Sequence, residues 1–227
     1  MERSLGRDAA HLPLFQRFAE ASVLACLITV AYYGMGAHTP PHHAPLASEL
    51  DAAIPFVPAS VWVYLPGYFG GFLLTLWAVR DARHFRAALT ALGVITLLAL
   101  PFFVHFPIPA PRPAPPGDAS VTAVMIRWLY ATDPLCNTFP SLHVANASLC
   151  AAICTASNKR WGVLAWLLAV GVWISVLTLK QHWAVDVAAG WALSMVGVAA
   201  FRAHLAAASW FAPQRAVPVP VRETRRE

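Results

Sequence analysis

The 227-residue chain is 58% hydrophobic and only 12% charged, with a mean hydropathy of +0.56 and a formal net charge of +5. A soluble domain usually carries about twice that charged fraction, so a water-soluble globular protein is excluded and the chain reads as an all-α integral membrane protein. The positive excess suits cytoplasmic loops and anionic headgroups, and no basic stripe interleaved with aromatics marks a nucleic-acid partner.

Residues 1–17 are comparatively polar, with Arg3, Arg7 and Arg17, and form a cytoplasmic N-terminal segment. The first apolar run goes from Phe18 to Met35. No small-x-small cleavage site follows it, so the run reads as a retained helix, not a signal peptide. Glu20 in its first turn is a partner for the helix dipole at headgroup level. Residues 36–58 are rich in Pro and His. His38, His42 and His43 invite a metal, but Pro40, Pro41 and Pro45 break any helix that would place two histidines on one face. No metal site is expected.

The second apolar run, Ser60 to Val79, spans about 30 Å as a helix. Pro66, Gly67, Gly70 and Gly71 lie within it, and such residues allow close helix contact in membranes. A link from Arg80 to Arg86 carries three arginines, and a third run follows from Ala87 to Phe106.

The connection 107–139 opens with Pro107 to Pro116, too proline-rich for a helix and therefore extended and stiff. Arg112 is its one basic residue. Val121, Val124, Met125, Trp128 and Leu129 then share one helical face, which predicts a short amphipathic helix lying on the membrane. Arg127 falls off that face, in solvent. The fourth run opens at Pro140, suited to a first helical turn, and ends at Ala156. Asn158-Lys159-Arg160 is a tight link to a fifth run, Trp161 to Leu179, and a sixth follows from Ala184 to Phe201. The expected architecture is a single six-helix transmembrane domain, residues 18–205. A basic tail, 206–227, is disordered because Pro213, Pro218 and Pro220 precede its last arginines. Cys150 and Cys154, one turn apart, are a packing pair, and the absence of Cys-x-x-Cys argues against zinc.

With the N-terminus inside, all of the sixteen Lys and Arg except Arg112, Arg127 and Lys180 fall on the cytoplasmic side. That bias sets the orientation: a multi-pass protein, expected in a bacterial inner (plasma) membrane, with both termini cytoplasmic. It also puts Arg112, His143, His182 and Asp186 on the extracytoplasmic face. Two distant stretches thereby meet. In Asn137-Thr-Phe-Pro-Ser-Leu-His143, Ser141 and the free N–H groups of a helix start suit an anion. In Lys180-Gln-His-Trp-Ala-Val-Asp186, His182 and Asp186 are i and i+4 at the start of the sixth helix. A carboxylate on one ring nitrogen leaves the other as a base or nucleophile. His143 offers a proton to a leaving oxygen. Arg112, Lys180 and the helix-start N–H groups offer charge to phosphoryl oxygens. These parts suit metal-free phosphoryl transfer.

Three short patterns carry a family resemblance. Pro140-Ser141-Leu142-His143 resembles Pro-Ser-Gly-His. Ser175, His182 and Asp186 resemble Ser-Arg-x5-His-x3-Asp, with Val176 at the Arg position. Arg112-Pro113 resembles the end of Lys-x6-Arg-Pro, with His105 at the Lys position. Together, over residues 100–195, they resemble the type 2 phosphatidic acid phosphatase superfamily. The Leu142 and Lys-Gln-His-Trp forms look closest to its inositol phosphorylceramide synthase-like branch. The resemblance implies His182 as nucleophile, Asp186 as its orienting partner and His143 as general acid. It also implies Arg112 and Ser141 as phosphoryl ligands. Where the sequence departs from the pattern, Lys180 and His105 are expected to compensate for the missing Arg and Lys.

The expected function is a lipid phosphate phosphatase working through a phosphohistidine. The alternative is a lipid phosphotransferase that moves a phospho-headgroup to a lipid hydroxyl. The implied partners are a lipid phosphate and the bilayer, with no cofactor. Two other classes stay open: a haem-binding bundle, with His143 and His182 as ligands, and a transporter with a His/Asp proton relay.

Overall fold

The structure is a computed structural model that describes residues 11–36 and 43–210. Every regular element among them is helical: α1 Leu14–Gly36, α2 Glu49–Ala53, a 3-10 turn Pro58–Ser60, α3 Val61–Ala78, α4 Ala82–His105, α5 Val121–Thr132, α6 Leu142–Ser157, α7 Lys159–Thr178 and α8 Ala184–Trp210. Five helices (α1, α3, α4, α7 and α8) are long and apolar enough to cross a membrane. The sixth, α6, is a shorter apolar helix of 16 residues. At ~1.5 Å per residue it covers only about 24 Å of a ~30 Å hydrocarbon layer.

That short helix is the centre of the bundle. It packs against α3, α4, α7 and α8, and every residue from Leu142 to Cys154 except Ala152 is buried. Leu149, Cys150 and Ile153 join a cluster with Phe85, Ala91 and Ile95 of α4. Val144, Ala147, Ala151 and Cys154 join another with Tyr64 of α3 and Ala169 and Val172 of α7. Both predicted packing cysteines are therefore core residues. The outer faces stay apolar, with Leu97, Val163, Leu167 and Ile174 exposed, as lipid contact requires. The helix α1 is peripheral, with Val23, Leu27 and Val30 also exposed.

Helix association in a bilayer depends on close packing through small residues, because lipid is as apolar as the side chains it replaces. Gly190 of α8 shows this at the point that matters here. A Cβ there would collide with the carbonyl oxygen of Ser141, immediately before α6. Its absence lets the starts of α6 and α8 touch, and Ser141 donates its N–H to the Asp186 carbonyl at 3.1 Å.

Several boundaries differ from the sequence reading. The helix α4 begins at Ala82, because the Asp81 side chain accepts the His84 N–H and caps it. Arg83 and Arg86 are thus helical, not linking. Pro140 stands before Ser141, which is the cap of α6 and accepts the Val144 N–H, so Pro140 is outside the helix rather than in its first turn. Asn158 caps α7, and Lys159 and Arg160 are helical. The last helix reaches Trp210, past the expected end of the sixth run at Phe201.

Three smaller readings change too. Glu20 pairs with Arg86 at 3.0 Å instead of serving only the helix dipole. Arg127 donates to the Pro116 and Asp118 carbonyls at 2.8 and 3.0 Å, bracing the loop rather than standing free in solvent. In α5, Val121, Val124 and Trp128 are exposed as an apolar surface, while Ala123, Ile126 and Leu129 face the protein. Leu129 therefore belongs to the inner face. Of the three loop histidines only His43 lies within the described residues, where it contacts the His105 carbonyl at 2.9 Å. His38, His42 and the tail from 211 onward lie outside the described residues.

Candidate active site

The site forms where the loop between α7 and α8 meets the start of α6. That loop turns sharply. Lys180 takes a left-handed conformation (φ 56°), unusual for a residue with a Cβ. The N–H groups of Gln181 and His182 both donate to the Val176 carbonyl, at 2.9 and 3.2 Å. His182 therefore precedes α8 rather than riding on its first turn. Asp186, three residues into the helix, reaches back. Its Oδ2 accepts the Trp183 N–H at 2.9 Å and faces His182 Nδ1 at 3.4 Å. The other oxygen, Oδ1, has no partner among the described residues.

From there a row of side chains crosses to α6 and α3. His182 Nε2 lies 3.1 Å from His143 Nδ1, and His143 Nε2 lies 2.7 Å from the Tyr64 hydroxyl. All four groups, Asp186, His182, His143 and Tyr64, are buried. The structure thus brings together the three catalytic candidates of the sequence and adds Tyr64, for which the sequence held no motif signal. Ser141 is fully buried beside them, its hydroxyl committed to the α6 cap.

The proline-rich segment is laced to the loop before α6. Ala110 donates to the Leu135 carbonyl at 2.9 Å, Thr138 to that of Ile108 at 2.8 Å, and the Trp183 indole to that of Pro109 at 2.9 Å. This fixes Arg112. Its Nε donates to Gln181 Oε1 at 2.9 Å, and Nη1 to the carbonyls of Tyr130 and Asp133 at 3.2 and 2.9 Å. Its Nη2 donates to Asp133 Oδ2 at 2.9 Å and to Gln181 Oε1 at 2.5 Å. A guanidinium has five donors, and the chain itself uses all five. The Tyr130 ring stacks against it, 5.2 Å from centroid to Cζ. Asp133 is held on its far side by the Tyr32 hydroxyl at 3.0 Å. Burial nevertheless pushes the Asp133 carboxyl above the ordinary range, against the pull of Arg112, His182 and Tyr32. A cavity of about 490 Å³ opens beside Arg112 and Asp133, bounded by Tyr33, Tyr130 and Leu135.

A family model described as the PAP2 superfamily matches residues 42–200. The chain belongs to the PAP2 superfamily. No curated protein and no solved structure compared with the chain matches it. PAP2 membership carries a phosphatase- or phosphotransferase-type activity on lipid phosphates as a general class. The match covers the site just described except Tyr32 and Tyr33, and singles out no branch of the superfamily.

The two positions expected to compensate for the altered PAP2 signatures are not gathered with Arg112. Lys180 Nζ donates to the carbonyls of Asp51 and Ile54, at 2.9 and 2.6 Å. His105 is exposed at the end of α4. Val176, at the Arg position, is fully buried in the core, where its backbone carbonyl holds the α7–α8 loop. Gln181 and Asp133 were not singled out in the sequence, yet they are the partners of Arg112.

Proposed function

We propose that the protein is a membrane-embedded lipid phosphate phosphatase whose site faces the extracytoplasmic side. The observation that carries this reading is the buried row Asp186–His182–His143. The Asp186 carboxylate can only accept, so it holds the His182 proton on Nδ1 and leaves Nε2 unprotonated, its lone pair accepting from His143 Nδ1 until the substrate phosphoryl group takes the place of that contact. In the first step Nε2 bonds to phosphorus, the bond from phosphorus to the lipid oxygen breaks, and His143 Nδ1 gives that oxygen a proton. In the second, water attacks the phosphohistidine, its proton passes to His143, and the electron pair returns to His182. The Ser141 start of α6 offers helix-terminal N–H groups to the phosphoryl oxygens.

One observation favours the transferase alternative. Arg112 is neutralised by Asp133, and Lys180 is committed elsewhere. That charge balance suits a singly charged phosphodiester better than a doubly charged monoester. Purified wild type and His182→Ala, incubated with phosphatidic acid and with ceramide plus a phospholipid donor, separate the readings. Phosphate release lost in the variant supports the phosphatase, and a new phosphosphingolipid supports the transferase. If wild type makes neither, phosphoryl transfer is ruled out.

A further inference from the structure

The row of hydrogen bonds does not end at His143. Tyr64 lies on α3, far from every motif of the site, yet its hydroxyl is 2.7 Å from His143 Nε2 and is buried with it. The polarity of the row follows from its acidic end. His182 carries its proton on Nδ1, toward Asp186, so its Nε2 accepts. The 3.1 Å contact then requires a proton on His143 Nδ1, and with a neutral ring His143 Nε2 must accept from Tyr64. A hydroxyl can also accept. When His143 is protonated on both nitrogens, Tyr64 takes the Nε2–H. Tyr64 therefore satisfies His143 in either state without moving it.

We propose that Tyr64 is a positioning residue for proton transfer, keeping Nδ1 as the atom of His143 that exchanges protons. This rests on His143 being the general acid. In the first step the Nε2–H stays on Tyr64 while Nδ1 releases its proton to the lipid oxygen. In the second, the empty Nδ1 takes the proton of water. Without Tyr64, Nε2 is a buried polar atom with no partner, and the ring is free to turn its reactive nitrogen away. The groups around His143 that bear on its charge are His182 from the α7–α8 loop, Asp186 from the start of α8, Arg112 and Asp133 from the segments over α6, and Tyr68 from α3. The Tyr68 ring lies 4.8 Å away, and its hydroxyl accepts from Asn146 instead.

The test uses two substrates that need the acid to different degrees. Dodecyl phosphate leaves as an alkoxide and requires a proton; a dodecyl-substituted nitrophenyl phosphate leaves as a stabilised phenoxide and does not. Because kcat/KM reports the first step, Tyr64→Phe should lower it about 10- to 100-fold for the alkyl ester, part of the ~10²–10⁴-fold that general acid catalysis supplies, because the acid itself is still present. The nitrophenyl ester should lose less than about 3-fold, since only the proton-transfer contribution is removed. Equal losses on both esters, or no loss on either, overturn the role of Tyr64 and leave the phosphatase reading standing. If wild type cleaves neither ester, that reading falls and this one with it. Should Tyr64→Phe fail to fold, 3,5-difluorotyrosine at position 64 keeps the shape and changes only the hydroxyl. It should shift the alkyl-to-nitrophenyl ratio, and an unchanged ratio rejects the proposal.

Discussion

At residue scale, Arg112 carries two jobs that a single substitution confuses. It is expected to meet phosphate, but all five of its donors already serve Tyr130, Asp133 and Gln181. Arg112→Ala leaves the Asp133 carboxylate buried and unpaired, which costs about 3–5 kcal/mol. Lost activity in that variant therefore reports folding as much as phosphate binding. Arg112→Ala/Asp133→Asn should recover most of the melting temperature in detergent without recovering activity. Asp133→Asn alone frees the guanidinium charge. It should raise kcat/KM for a doubly charged monoester relative to a singly charged diester by roughly tenfold, about 1.4 kcal/mol. A ratio that stays put would show that Asp133 does not set the charge of the site.

At the scale of elements, the small helix α2 acts as a clasp on the α7–α8 loop. Ser48 and Asp51 form a capping box at its start. Asp51 then uses its other oxygen to accept the Ala184 N–H at 2.7 Å, capping α8. Lys180 closes the ring by donating to the Asp51 and Ile54 carbonyls. Burial, the largest single influence on Asp51, raises its pKa, but hydrogen bonds from Ser48 and Ala184 and the charge of Lys180 outweigh it and hold the carboxyl below its ordinary value. A lowered folded value stabilises above the unfolded pKa and is lost as pH falls through the folded one. Asp51→Asn should therefore melt lower than wild type at neutral pH, and the gap should close below about pH 4. A constant gap would exclude the charge as the cause.

The contact between α6 and α8 is the second element-scale device. Gly190→Ala drives a methyl into the Ser141 carbonyl, an overpacking cost of about 1–3 kcal/mol. It should also part His143 from His182 and reduce kcat well beyond the loss of stability. Activity unchanged alongside a lowered melting temperature would show that the two helix starts need not touch.

What could be read from the sequence divides along the same lines. His143, His182 and Asp186 stand in short patterns whose spacing carries their chemistry, and Asp186 in an apolar helix is costly enough to signal use. The apolar runs gave the spans because their signal is local. The partners Tyr64, Asp133 and Gln181 carry no such signal, since their importance arises only when α3 and the loop before α6 close on the site. The α2 clasp was within reach. Ser48-Glu49-Leu50-Asp51 has the spacing of a capping box, within a stretch whose prolines otherwise mark it as a loop. Lys180 was misplaced for a related reason: its neighbours in sequence belong to the site, but its left-handed backbone turns the side chain toward α2.

At the scale of the whole molecule, the charges separate along the bundle. Arg17 donates to the carbonyls of Leu76, Trp77 and Val79 at the end of α3. Arg83 reaches Leu205 near the end of α8. The start of α1, the end of α3, the start of α4 and the end of α8 thus lie at one basic end. Arg112, Lys180 and the histidine row occupy the other. Positive charge is retained on the cytoplasmic side, so the site should open away from the cytoplasm, and phosphate would be released there. Cysteine labelling decides this. Cys136, Cys150 and Cys154 are buried and Cys26 is exposed, so Cys26→Ser provides the background. Ala119→Cys, exposed ahead of α5, should react with a membrane-impermeant maleimide in intact cells. Lys159→Cys, exposed at the start of α7, should react only after permeabilisation. The reverse pattern would place the histidine row on the cytoplasmic face, where its substrate would have to come from the inner leaflet.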